Sequence, residues 1–498
     1  MSIEIEVAAQ GGSLRGEIVD GLAVFRGIRY ARAPFGPWRF APPQPVVPWD
    51  GVVDATAFGP GCPQPSLGPA TSGARFVNPA TTGEDCLSLN VWTPEPGPAS
   101  RLPVMVWIHG GGFAVGSGGA PVHDGTTWAR DGIVYVSINY RLNVEGFIYL
   151  GEGTANLGLL DQVAALRWVR DNIAAFGGDP DNVTIFGQSG GAVGVMHLLA
   201  MPSAAGLFRR AIAQSGSSLP TTDVATATAI TRHLATLLEV PPSKGAFAAV
   251  PPPQMASSVT TLAMEYLSPG LSGADAFLIS PFRPVIDGDT LPADVLSSVA
   301  SGSASAVDLL AGTCRDEATF AMQPFGLLDH VPDEWAAAAL AAFGLTPTSL
   351  AAYRETTRPG AEDPELFQAA WTDWAFRMPT LRLLEAHAGS AAGTFAYEFA
   401  WPSPTQPMLG AIHALDIPFV NDDLARWMKV HEGPEDLLGH DPPAALADLM
   451  HRAWIGFATH GDPGWAPYDA LRRITMRFDT VSGPVEDLAG PERRLWSR

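Results

Sequence analysis

Lysine is almost missing from this chain: Lys244 and Lys429 are the only two in 498 residues. Basic charge as a whole is scarce, with 30 Lys and Arg against 51 Asp and Glu and a formal net charge of −21. A chain so acidic repels polyanions, which argues against nucleic acid and anionic membrane surfaces as partners. The preference for Arg over Lys is read as genome composition and carries no functional meaning. Cysteine is scarce too. Cys62, Cys86 and Cys314 match no zinc-ligand spacing, so no metal site is expected. No apolar run reaches 18 residues, which excludes a single-helix membrane span. The opening "MSIEIEVAAQGG" alternates apolar and charged residues as a strand does, without the basic-then-apolar order of a signal peptide. The expected location is therefore cytoplasmic.

What the chain does have is apolar residues, 46% of the total, enough for a large core. Residues 1–60 hold short alternating strands punctuated by Pro and Gly. From residue 103 the pattern changes. "PVMVWIHGGG", "GIVYVSINY", "NVTIFG" and "VDLLAGT" are near-continuous apolar runs, as strands buried on both faces of a parallel sheet require. "NLGLLDQVAALRWVRDNIAAFG" has helical spacing and stops at Gly177 and Gly178; "GAVGVMHLLAM" is a second helix. Strand and helix alternate, which predicts an α/β fold with a mostly parallel sheet flanked by helices. Residues 222–270 and 328–392 are Ala-rich and read as helical cap segments covering the sheet. They predict one domain over 1–498 rather than separate units.

Chemistry enters at "TIFGQSGGAVG", residues 184–194. Gly-x-Ser-x-Gly is short enough to arise by chance, and a serine in a glycine-rich loop is the plainer reading. Context favours a nucleophile. The motif follows a buried strand and opens a helix, so Ser189 would sit on a sharp strand-to-helix turn with helix N–H groups beside it. A serine hydroxyl needs a base, a group to orient that base, and donors for the oxyanion. "HGGGF", His109 to Phe113, supplies a second glycine-rich turn after a strand, where bare backbone can approach a ligand.

"HGGGF", "FGQSGG" and "EDCLSLNVWTP" together resemble the type-B carboxylesterases, the esterase and cholinesterase group of the α/β-hydrolase superfamily. "FRGIRYARAP", "GLFRRAIAQSG", "RPVIDGDTLP", "GAIHALDIPF" and "WIGFATHGDPGWAPY" follow in family order. The resemblance runs from about residue 20 to about residue 470. It implies the α/β-hydrolase fold and a Ser–acid–His chain order. It carries the nucleophile onto Ser189 and, of eleven histidines, the base onto His413. His109 and His197 are expected to pack. The acid falls on Glu317 of "LLAGTCRDEATF", with Asp316 left open because Cys314 and Ala318 depart from the family pattern. The implied oxyanion donors are the N–H groups of Gly111, Gly112 and Gly190, the last usually Ala in relatives. Gln188 stands where relatives carry glutamate, and Gly194 where many carry a buried serine near the acid. Cys62 and Cys86 occupy positions the family often bridges; bridge and thiols both stay open.

The resemblance implies a serine hydrolase that cleaves carboxylic esters through an acyl-enzyme, with no metal or cofactor. Hydrolysis of a carbamate or aryl amide by the same triad is the alternative, and a non-catalytic binding module is the alternative of another class. Phe76 and the neutral Gln188 in place of a cation site, with Leu278 and Ser280 on the acyl side, point to neutral small-molecule esters with short to medium acyl chains. The oligomeric state stays open between a monomer and a small homo-oligomer.

Overall fold

A computed structural model describes residues 3–65, 79–151, 153–267, 273–278, 280–356, 358–431 and 436–496. Fifteen strands follow in chain order. They are β1 (Ile3–Ala9), β2 (Gly12–Val19), β3 (Leu22–Arg29), β4 (Val52–Asp54) and β5 (Ser88–Thr93), then β6 (Leu102–Ile108), β7 (Val134–Ile138), β8 (Gly178–Gln188), β9 (Arg210–Gln214) and β10 (Thr222–Asp223). β11 (Val285–Ile286), β12 (Asp308–Cys314), β13 (Thr394–Phe399), β14 (Thr475–Phe478) and β15 (Gly483–Val485) complete the set. All but β10 and β11 join one sheet in the order β1-β2-β3-β5-β7-β6-β8-β9-β12-β13-β14-β15, with β4 beside β2. The run from β7 to β14 is parallel, and the antiparallel pairs lie at the two ends.

The apolar runs read as two-sided strands are two-sided. In β6, Val104, Val106 and Ile108 enter one hydrophobic cluster while Met105 and Trp107 enter another. That alternation is the period of two of a pleated strand with a core on each face. The helix Leu157–Asn172 covers one face, and its C-terminal extension ends at Gly177 with φ 89°. A side chain at Gly177 would have its Cβ 2.1 Å from the Glu95 carbonyl oxygen, so this helix stop is open only to glycine. Arg141, just beyond β7, clasps Asp161 of the same helix at 2.7 and 2.8 Å, both side chains fully buried.

Residues 222–270 open with the two-residue strand β10, paired with β11, before the helices Val224–Leu237, Lys244–Ala249 and Pro252–Tyr266. Residues 328–392 hold the helices Asp333–Phe343, Pro347–Thr356, Asp363–Thr372 and Met378–His387, the last two joined by a π-turn. Among the described residues no single helix is long and apolar enough to cross a membrane.

Strand order positions the site. β6 lies between β7 and β8, so the chain steps one way to β7 and then crosses back to β8. In an open parallel sheet such a reversal leaves a crevice at the carboxyl ends of the strands. The loops after β6, β8, β12 and β13 all start at that edge and carry His109–Phe113, Ser189, Glu317 and His413, respectively.

Candidate active site

Ser189 occupies the turn between β8 and the helix Gly190–Ala200 with φ 55° and ψ −125°, a backbone conformation costly for any residue with a side chain. It persists because both sides are pinned. The Ser189 N–H donates to the Gln214 carbonyl at 3.0 Å, and the Ser189 carbonyl accepts the Val193 N–H at 2.9 Å, closing the first helical turn. The small residues around it permit a close approach. A Cβ on Gly191 would lie 2.0 Å from the Ile108 carbonyl oxygen. One on Gly190 would lie 2.8 Å from the Gly112 nitrogen. The N-terminus of this helix therefore faces the glycine-rich loop after β6 directly.

That loop is held from outside. The Tyr140 hydroxyl donates to the His109 carbonyl at 2.8 Å, and the Asn143 N–H to the Phe113 carbonyl at 2.6 Å. Gly116 exchanges two hydrogen bonds with the Gln64 side chain. Gly111 has φ 107°, and a Cβ there would meet the Val115 carbonyl oxygen at 2.1 Å. The backbones of Gly112 and Gly190 are thereby brought together beside Ser189 in a preformed arrangement. Ser280 borders the same place, 3.8 Å from the position of a Cβ on Gly112. Leu278 ends the short 3-10 turn Gly273–Leu278, and among the described residues no contact places it at the site. Phe76 lies outside the described residues.

His413 lies in the long loop after β13. Its Nδ1 is 2.5 Å from Glu317 Oε2, and Glu317 is fully buried with its other oxygen accepting the Cys314 N–H at 2.7 Å. Asp316 faces elsewhere. Its carboxylate accepts the Ala411 N–H and the Arg315 guanidinium, both at 2.9 Å. On His413 the Nε2 atom is 3.0 Å from Gln188 Nε2. Phe320 stacks on the imidazole with ring centroids 4.4 Å apart, and Phe376 lies 5.2 Å away on a tilt. The other histidines considered are packed. His109 stacks on Tyr140, and burial holds it down to about 3; His197 Nδ1–H donates to the Val193 carbonyl, and burial holds it down to about 4. Both are neutral at physiological pH and buried away from exchange with solvent.

A Cβ at Gly194 would lie 2.8 Å from the Gln162 side chain of the preceding helix. The Thr372 hydroxyl accepts the Ala318 N–H of the acid loop at 3.0 Å, and the Ser215 hydroxyl lies 3.9 Å from Cys314 Sγ. Cys62 and Cys86 are buried free thiols, and their mutual hydrogen bond, with burial, pushes the Cys86 thiol up.

The family model described as "Carboxylesterase family" matches residues 3–481. The chain belongs to the carboxylesterase family. It is a carboxylic-ester hydrolase. The carboxylesterase is 36% identical to the para-nitrobenzyl esterase of Bacillus subtilis, over 95% of this chain and 94% of that one. It is 37% identical to the phenmedipham hydrolase of Pseudarthrobacter oxydans, over 91% and 89%. A solved carboxylesterase of Geobacillus stearothermophilus superposes with a TM-score of 0.85 at 36% identity, covering 99% of each chain.

Sequence reasoning passed over a buried carboxylate in the His413 loop of this carboxylesterase. Asp416 is three residues past His413 and fully buried; its Oδ2 accepts from the Gln214 amide and the Tyr397 hydroxyl, each at 3.0 Å. The signal was present in "HALDIPF", an acid inside an otherwise apolar run. Burial pushes its carboxyl up to about 6, with the Gln214 hydrogen bond opposing and Glu317 adding to the rise. An acid that binds its proton more tightly folded than unfolded makes stability fall as pH climbs from roughly 4 to roughly 6. The loss is about 3 kcal/mol for a rise of about two units above the ordinary carboxyl value. Asp416→Asn keeps an acceptor for both donors and removes the charge. The variant is expected to melt above the wild type at pH 8 and to lose that advantage at pH 4. A difference equal at both pH values would show that the carboxylate titrates without cost.

Proposed function

We propose that Ser189, His413 and Glu317 act as nucleophile, base and orienting acid. Ser189 Oγ attacks the ester carbonyl carbon while His413 Nε2 takes its proton, and Glu317 holds Nδ1–H and stabilises the resulting imidazolium. The oxyanion is received by the N–H groups of Gly111, Gly112 and Gly190. His413 then protonates the departing alkoxide, and the alcohol leaves. Water deprotonated by His413 attacks the acyl-serine and releases the acid. No step calls for a metal or cofactor. The observation that carries this reading is the Glu317–His413 hydrogen bond set beside a serine in a strained turn.

Substrates on this reading are neutral alkyl or aryl esters with short to medium acyl chains. Ser280 against the oxyanion loop keeps the acyl side small-walled, and the uncharged Gln188 offers nothing to a cation. A cytoplasmic setting is the expected location, and the acidic balance supports small molecules rather than nucleic acid as partners. One domain spans the chain, with 222–270 and 328–392 as its cap segments. A monomer or a small homo-oligomer is the expected state.

The test is rapid mixing with p-nitrophenyl butyrate, followed by turnover of butyrylthiocholine against its uncharged 3,3-dimethylbutyl analogue. A nitrophenol burst of about one equivalent and comparable kcat/KM for the second pair are expected. A tenfold preference for the cation, about 1.4 kcal/mol, would overturn the neutral-ester reading. Carbamate hydrolysis is a second reading, favoured by the similarity to the relative named phenmedipham hydrolase. A matched aryl carbamate and aryl ester compared by kcat/KM separate the two.

A further inference from the structure

The base named above is engaged by a neighbour that the triad does not include. Nδ1 of His413 faces the Glu317 carboxylate, so Nδ1 carries the hydrogen and a neutral ring presents a bare lone pair at Nε2. The group at that lone pair is the Gln188 side-chain amide, Nε2 to Nε2 at 3.0 Å, and only its N–H can make this bond. Gln188 is itself 3% exposed and confined. Its carbonyl oxygen lies 2.9 Å from where a Cβ on Gly110 would sit. Among the described residues Ser189 Oγ has no hydrogen-bond partner, so the amide, not the hydroxyl, holds Nε2 in this state.

We propose that Gln188 is a positioning residue that latches His413 as the neutral base in the free enzyme. This rests on the assignment of Ser189 and His413 above. An N–H directed at Nε2 favours the unprotonated ring. A carboxylate in the same place would favour the protonated one. An apolar side chain would do neither. The amide thus holds the Nε2 lone pair in place, and that lone pair passes to Ser189 when substrate displaces the latch.

The other ionisable groups around the ring are common to every variant of this position. They are Glu317 on Nδ1, Asp416 in the same loop with Tyr397 bonded to it, Asp316 tied to Arg315, and the Cys314 thiol behind Glu317. The Phe320 and Phe376 rings that cover the imidazole carry no charge. Differences between variants at 188 therefore isolate this one contact.

The experiment measures kcat/KM against pH for p-nitrophenyl butyrate with wild type, Gln188→Met and Gln188→Glu, while a separate aliquot of each is labelled with a fluorophosphonate to count active serines. The acid limb is expected to stand lowest for wild type, higher for Gln188→Met, and higher again for Gln188→Glu, the last by about one pH unit. Limb position is independent of how much enzyme is active, so partial misfolding leaves the comparison intact, and Gln188→Met serves alone if Gln188→Glu is inactive. Limbs that coincide within about 0.2 unit, with unlabelled wild type turning over and its separate aliquot labelled at Ser189, overturn the latch while leaving the triad standing. Failure of the probe to label wild-type Ser189 overturns both.

Discussion

Ser189→Ala is expected to lower kcat for a p-nitrophenyl ester by about 10⁴- to 10⁶-fold, the loss seen when the nucleophile of a catalytic triad is removed. The residual rate then comes from the oxyanion donors and from binding. Stability should barely change, because alanine at φ 55° carries the same backbone strain as serine. Ser189→Gly separates the two roles. It is equally inactive, yet glycine relieves a conformation that costs about 1–3 kcal/mol, so it should melt above wild type. Intact-mass analysis after a phosphonate probe checks the chemistry: one adduct on the wild type, none on either variant. An adduct surviving on Ser189→Ala would move the nucleophile elsewhere.

The second large effect separates two adjacent acids. Glu317→Gln is expected to cost about 10²- to 10⁴-fold in kcat, because an amide turned toward Nδ1 favours the wrong tautomer and leaves the imidazolium without a counter-charge. Its burial leaves no water to substitute for the lost charge. Asp316→Asn should cost less than about tenfold, since an amide oxygen still accepts the Ala411 N–H that fastens the His413 loop. Its effect should appear in the melting temperature first. Steady-state kcat for the two variants decides, and the reverse order would transfer the acid's role to Asp316.

Where the chain was legible, one physical rule did the work. Apolar runs without alternation mean strands covered on both faces. "PVMVWI", "IVYVSI" and "LLAGT" accordingly became β6, β7 and β12, with adjacent residues of β6 entering different cores. The elbow was legible because its constraint is local. Gly187 and Gly191 flank Ser189 at the end of a strand and the start of a helix, and the close approach of both to the Ile108 carbonyl follows from that turn. The choice of His413 from eleven histidines was not legible from its residue type. It needed the ordered resemblance, because what distinguishes it from His109 and His197 is an acid partner from the loop after β12, 96 residues earlier.

By itself the sequence determined the element types, the acidic balance that disfavours polyanions, and the two glycine-rich turns with a serine in one of them. These depend on periodicity, charge and backbone sterics within a few residues. Tertiary structure alone decided that Glu317 and not Asp316 meets the ring, that Gln188 caps Nε2, that Phe320 stacks on it, and that Asp416 is buried beside them. Each of those is a contact between loops at the carboxyl edge of the sheet, and their meeting is set by strand order. β6 and β8 are neighbours while β12 and β13 lie farther along the same edge. No local rule encodes that order, because it depends on which chain crossovers bury both faces of the sheet at once.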